Sequence, residues 1–105
     1  MVETITTDEL ARRIERQPVT LVDVREVYEY RAGHVPGAVN IPLSLIPLRV
    51  QELPQDGSLH VICQSGNRSF QACLWLERNG RSAVNVAGGT GTWVMSGRPV
   101  QQVAA

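Results

Sequence analysis

Apolar positions along the chain fall into short runs separated by stretches of helical spacing. Residues 2–5 predict a short edge strand. Thr6 or Thr7 then suits the N-cap of a helix over 8–16, with Asp8 and Glu9 in its first turn, where the helix dipole favours acids. Leu10, Ala11 and Ile14 supply its apolar stripe, and Gln17-Pro18 ends it. Residues 19–24 (VTLVDV) are nearly continuous in apolarity, the pattern of a strand buried on both faces in a parallel sheet, and Asp23 interrupts it near the C-terminal end. A short helical segment over 26–31 follows Arg25, then a Gly/Pro-rich turn over 32–37 and a strand over 38–41 closed by Pro42.

Residues 43–53 carry Leu45, Ile46, Val50 and Leu53 at helical spacing, but Pro47 splits the segment in two. After the turn at 54–57, the apolar run 59–62 predicts the central strand, and a helix over 68–78 directs Ala72, Cys73, Leu74 and Leu76 toward the core. Asn79-Gly80 stops that helix, and 83–86 form the last strand. The segment that Gly88-Gly89 opens, through Met95, is a poor helix former because it holds Gly91 and two threonines. Residues 100–105 read as a tail. Strands alternating with helices imply an α/β fold whose central parallel sheet is covered by helices on both faces, with ligands beyond the carboxyl ends of the strands. Asp23 and Cys63 both fall at such ends. No repeat, low-complexity tract or linker divides the 105 residues, so one domain is expected over 1–105.

Composition narrows the function classes. The formal net charge is zero and no basic face or charge run is visible, which argues against nucleic acid or an acidic membrane as partner. The N-terminal MVETITTDEL lacks the basic-then-apolar pattern of a leader, and no apolar run reaches membrane-spanning length. The two cysteines, Cys63 and Cys73, match neither a C-x-x-C pair nor a zinc-ligand spacing. A reduced, cytoplasmic setting without a disulfide is the simplest reading.

The candidate chemistry lies between the central strand and the helix after it, in Cys63-Gln64-Ser65-Gly66-Asn67-Arg68-Ser69. A strand, a glycine-bearing turn and a helix N-terminus in immediate succession leave backbone N–H groups free to point at an anion. A cysteine facing them ionises more easily, helped by the helix dipole and by Arg68. Gly66 supplies the φ values a tight inward curl requires. Cys63 is therefore expected to be a nucleophile in an amide cradle. Mid-helix Cys73 reads as core, and His60, Trp75 and Trp93 read as structural. His34 could act as a base or fix its loop through hydrogen bonds, the second being commoner. Asp23 beside Arg25 is compatible with a structural ion pair, and Arg49, Arg78, Arg81 and Arg98 read as solvated surface.

With these pieces in order, the chain resembles the rhodanese-like domains, the family of single-domain sulfurtransferases. The resemblance rests on LVDVR at 21–25, Glu29, GHVPGAVNIP at 33–42, CQSGNRS at 63–69, and Gly88, Gly89, Trp93, Gly97 and Pro99. It implies a three-layer fold with about five strands. It also implies a Cys63 persulfide that takes sulfur from a donor such as thiosulfate or a persulfide and passes it to cyanide or a thiol. Cys63 would be catalytic, and Gln64, Ser65, Gly66, Asn67, Arg68 and Ser69 would bind the substrate. Asp23, Arg25, Glu29 and His34 would support the loop, with Arg25 paired to Glu29. No metal or organic cofactor is implied, and a sulfur-relay protein is a partner the resemblance allows. Family members efficient with thiosulfate tend to carry further cations in the loop, whereas here Gln64, Ser65 and Asn67 are neutral. The alternative is a docking or regulatory module of the same fold. A cysteine phosphatase would place five residues, not four, between cysteine and arginine, and an arsenate reductase would want further cysteines.

Overall fold

The computed structural model describes residues 1–104; Ala105, the last residue of the expected tail, lies outside the described residues. Five parallel strands form one sheet: β1 (Glu3–Ile5), β2 (Thr20–Asp23), β3 (Val39–Asn40), β4 (Leu59–Ile62) and β5 (Ala83–Val86), in the order β1-β5-β4-β2-β3. The two strands that carry apolar residues almost throughout, β4 and β5, are also the ones buried at every position. β4 is central, with β2 on one side (Asp23 opposite Ile62) and β5 on the other (Val61 opposite Asn85). The cysteine that follows β4 therefore leaves the sheet at its middle.

The helices are α1 (Thr7–Arg16), α2 (Val27–Ala32), the short α3 (Ile46–Arg49) between two 3₁₀ turns, α4 (Asn67–Arg78) and α5 (Gly89–Met95). Side-chain alternation along the strands divides the interior into two apolar layers. Val22, Leu59 and Val61 meet Ile46, Ala72, Cys73 and Leu76 on the face covered by α3 and α4. Leu21, Ile62, Val84 and Val86 meet Leu10 and Trp93 on the face covered by α1 and α5.

Several expected elements shift for identifiable reasons. The Thr6 hydroxyl accepts the Glu9 amide at 3.1 Å, so Thr6 is the cap and α1 starts at Thr7. Its buried stripe is narrower than the spacing suggests, because Leu10 is enclosed while Ile14 stays 38% exposed. Leu74, expected in the core, lies on the outer side of α4 at 36% exposure. The segment after Gly88-Gly89 is a helix despite its weak propensity: its first turn is fastened to the cysteine loop, and Trp93 is buried with its indole N–H donating to the Pro99 carbonyl at 2.8 Å. The end of the chain is partly anchored, since Gln101 and His34 exchange both backbone hydrogen bonds, at 2.8 and 2.9 Å. Arg98 and Arg81 are not simply solvated. Arg98 lies over the Trp93 ring and pairs with Asp8, and Arg81 donates to the Val50 and Pro54 carbonyls.

Candidate active site

The chain turns out of β4 at Cys63 and re-enters regular structure at Asn67, and Gly66 makes the corner with a φ of 109°. That left-handed value is strained for any residue carrying a Cβ. The corner brings the Gly66 amide to 3.1 Å from the Cys63 sulfur and the Ser69 hydroxyl to 3.3 Å. The sulfur lies at the N-terminus of α4, whose first amides have no helical partners. Burial pushes the Cys63 thiol up. The opposing hydrogen bonds, from the Ser69 hydroxyl and the amides of Ser69, Gly66 and Ser65, outweigh it and hold the thiol below its ordinary value. Cys73 has no such partners. Burial above all, then Glu77 and Cys63, pushes its thiol up to about 12. The loop favours the ionised form of one thiol, and the core holds the other protonated.

A second helix end sets the outer side of the loop. The Thr90 amide donates to the Cys63 carbonyl at 2.8 Å and the Gly91 amide to the Gln64 carbonyl at 3.0 Å. With these carbonyls drawn toward α5, the loop amides that follow are left to face inward. The approach is closest at Gly89, where a Cβ would overlap the Cys63 carbonyl. The double glycine at 88–89 is thus a packing requirement of the cysteine loop as well as a turn.

The charged residues are paired differently from what the resemblance implied. Arg25 does not pair with Glu29. Its guanidinium makes a bidentate contact with Asp23, Nη2 to Oδ2 at 2.8 Å and Nε to Oδ1 at 3.1 Å, with both side chains buried. Its remaining donors go to the Gly33 carbonyl at 2.7 Å and to Gln64 Oε1 at 3.3 Å, so the pair ties β2 to the His34 loop and to the cysteine loop. The reason is local. Asp23 and Arg25 stand two apart with the Arg25 amide on Asp23 Oδ1 at 3.0 Å, a turn that presents the carboxylate to its own arginine. Glu29 is left for Arg68, at 2.7 Å (Nη1 to Oε1) and 2.9 Å (Nη2 to Oε2). The Glu29 carboxylate also accepts the Glu26 amide in a capping box at the start of α2.

The Arg68 hydrogen bonds, against a smaller opposing effect of burial, lower the Glu29 carboxyl from 4.5 to about 2. A depressed carboxylate contributes stability above its unfolded-state value and loses it as pH falls through the folded one. The denaturation midpoint of Glu29→Gln should therefore fall below that of the parent at neutral pH. The two midpoints should converge as pH drops from about 4.5 toward 2. A constant gap across that range, in urea titrations, would show that the pair contributes nothing.

His34 fixes its loop. Its Nδ1 contacts the Tyr30 carbonyl at 2.8 Å, its ring stacks on Tyr30 with centroids 3.7 Å apart, and its backbone is bridged to Gln101. Clefts flank the cysteine loop on both sides. One of about 570 Å³ is lined by Ser65, Asn67, Phe70 and Asn85, and one of about 550 Å³ by Arg25, Gln64, Thr90 and Met95. Sequence reasoning missed Asn85. It is buried in β5 and its Oδ1 accepts a hydrogen bond from the Ser69 hydroxyl. The signal was present as a lone polar residue in the run AVNV. Among the described residues, no cluster of His, Cys, Asp or Glu is placed to hold a metal, and no helix is long and apolar enough to cross a membrane.

A parallel α/β sheet whose central strand runs into a cysteine-bearing loop at a helix N-terminus defines a domain of the rhodanese kind. The family model for the rhodanese-like domain matches residues 6–96, and the chain belongs to that family. It is 38% identical over 102 residues to a protein named sulfurtransferase from Allochromatium vinosum, covering 95% of each chain. It is 36% identical over 78 residues to the putative sulfur carrier protein YrkF of Bacillus subtilis, covering 73% of this chain and 42% of that one. The crystal structure of a rhodanese-like domain protein from Staphylococcus aureus superposes with a TM-score of 0.83 at 39% identity, over 88% of this chain and 91% of that one.

Proposed function

We propose that the protein is a sulfurtransferase that carries a sulfane sulfur as a persulfide on Cys63. The observation that carries this reading is the contrast between the two thiols. Cys63 is lowered by a hydroxyl and three loop amides, while Cys73 in the same core is pushed up to about 12. The thiolate is the attacking species in thiol chemistry. Cys63 attacks the outer sulfur of the donor and a new S–S bond forms. The donor's own bond to that sulfur breaks, and its electron pair leaves on sulfite or on the donor thiolate. An acceptor, cyanide or a thiol, then takes the outer sulfur and returns Cys63 to the thiolate. The amides of Ser65, Gly66 and Ser69 already face the Cys63 sulfur and can stabilise the charge that moves along this path without rearranging. Sulfur rides on the protein itself, so the reaction asks for no cofactor.

Of the two donor classes, a persulfide suits the site better than thiosulfate. Thiosulfate is a dianion, and both arginines at the loop already hold carboxylates, Arg68 on Glu29 and Arg25 on Asp23. A relay protein as donor or acceptor is supported by the relative named as a sulfur carrier. The two free cysteines suit a reducing compartment such as the cytoplasm.

Intact-mass measurement tests the reading. After incubation with cysteine persulfide the protein should gain one sulfur atom, with lower occupancy from thiosulfate, and lose it on addition of cyanide or dithiothreitol. No gain from either donor would sink the catalytic reading and leave a docking module.

A further inference from the structure

Asn85 is the one polar side chain in β5 and is 5% exposed. Its amide is held at both ends. Nδ2 donates to the Gly66 carbonyl at 3.3 Å, which turns Oδ1 toward Ser69, and the Ser69 hydroxyl donates to it at 2.5 Å. The reverse orientation would set Oδ1 against the Gly66 carbonyl, acceptor on acceptor. Asn85 is therefore an acceptor toward Ser69, and the same Ser69 oxygen lies 3.3 Å from the Cys63 sulfur.

A hydroxyl has one proton to give. While Asn85 holds it, Ser69 offers the uncharged Cys63 only lone pairs, an arrangement that suits an S–H, and the hydroxyl favours ionisation only once the thiolate draws that hydrogen bond over to itself. A thiolate needs the proton itself. We propose that Asn85 is a positioning residue for Cys63: it keeps the Ser69 hydroxyl turned away while the Cys63 sulfur is uncharged, so that the free thiolate alone must draw the hydroxyl off Asn85. In a persulfide the charge resides on the outer sulfur, and the inner one carries neither proton nor charge. Ser69 can then return to Asn85. The protonated and the sulfur-loaded protein share one hydrogen-bond pattern, and the empty thiolate has another that leaves a buried amide carbonyl without its partner. Asn85 thereby makes the empty thiolate a stronger attacker and favours the loaded state. With a persulfide donor the step balances without an oxidant: the bond from Cys63 Sγ to the transferred sulfur forms, the donor S–S bond breaks, and the donor leaves as a thiolate.

The charged and titratable groups around this sulfur are otherwise engaged. Arg68 of α4 is held by Glu29 of α2, Arg25 after β2 by Asp23, and the Cys73 thiol is kept protonated chiefly by burial. The consequence for turnover rests on Cys63 being the sulfur carrier, but the hydrogen-bond competition does not, and it can be read without any sulfur donor. The pH dependence of iodoacetamide alkylation at Cys63, followed by peptide mass, would be compared in the parent, Asn85→Leu, Ser69→Ala and the double variant. Asn85→Leu frees the hydroxyl and should lower the Cys63 midpoint by about one pH unit. In the Ser69→Ala background the same substitution should do nothing, because no hydroxyl remains to compete for. A parent-like or raised midpoint in Asn85→Leu, or an equal shift in both backgrounds, would overturn the proposal. Asn85→Val, which matches its neighbours Val84 and Val86, repeats the comparison if the leucine variant does not fold, with circular dichroism as the check.

Discussion

Cys63→Ser should yield a folded protein that takes up no sulfur from either donor, with cyanide-dependent turnover reduced to the uncatalysed background. The loss should be complete because no second thiol can substitute. Cys73 is enclosed in the apolar layer under α4, and its thiol is raised to about 12. Serine differs from cysteine at one atom, and its hydroxyl does not ionise near neutral pH or form a persulfide. Its oxygen can still take the Gly66 amide and contact Ser69, the two contacts that the sulfur makes. The thermal midpoint should therefore stay close to that of the parent. Sulfur appearing on the serine variant at any position would show that the carrier has been misassigned.

Asp23→Ala should be the most damaging change to stability outside the apolar layers. It leaves the Arg25 guanidinium, 4% exposed, without its carboxylate. Removing one member of a buried ion pair costs about 3–5 kcal/mol, most of it the burden of an uncompensated buried charge. The cost reaches the site as well, because the same guanidinium holds the Gly33 carbonyl and Gln64. Urea denaturation measures the first effect, and a drop below about 1 kcal/mol would place the pair among the weak surface contacts. Removing both charges, in Asp23→Leu with Arg25→Met, should cost less than Asp23→Ala alone, because nothing charged is then stranded.

The parts of this molecule that were legible in its sequence are those decided locally. The apolar runs of β2, β4 and β5 declared a buried parallel sheet, and Cys63 before a glycine-bearing turn and a helix start declared the loop. What could not be read is what depends on distant neighbours. Glu29 lies as near in sequence to Arg25 as many ion-pair partners do. The choice between Arg25 and Arg68 is made by the Asp23 turn and by where α4 begins. Propensity spoke against α5, whose threonines and glycines are poor helix formers in isolation. Its first turn is held instead by carbonyls from the cysteine loop, a tertiary contact that outweighs the local cost. Ile14 and Leu74 fit an apolar stripe by spacing, yet the fold leaves both of them partly in solvent. Asn85 was visible as an oddity, but its meaning depends on Ser69 of α4 packing against it.

The grip of α5 on the cysteine loop has one further consequence. Two carbonyls of the loop are fixed to two successive amides of a helix that cannot move closer, since Gly89 already stands against the Cys63 carbonyl without even a Cβ between them, and cannot retreat without breaking both hydrogen bonds. The helix thus acts as a gauge for the ring it touches. Four residues between Cys63 and Arg68 fill the gauge. An insertion that widened the ring for a bulkier reacting centre would lift Cys63 or Gln64 off α5. Ring size, and with it the class of atom the cysteine can reach, is guarded by a segment remote in sequence, so new chemistry on this scaffold would require the loop and α5 to change together.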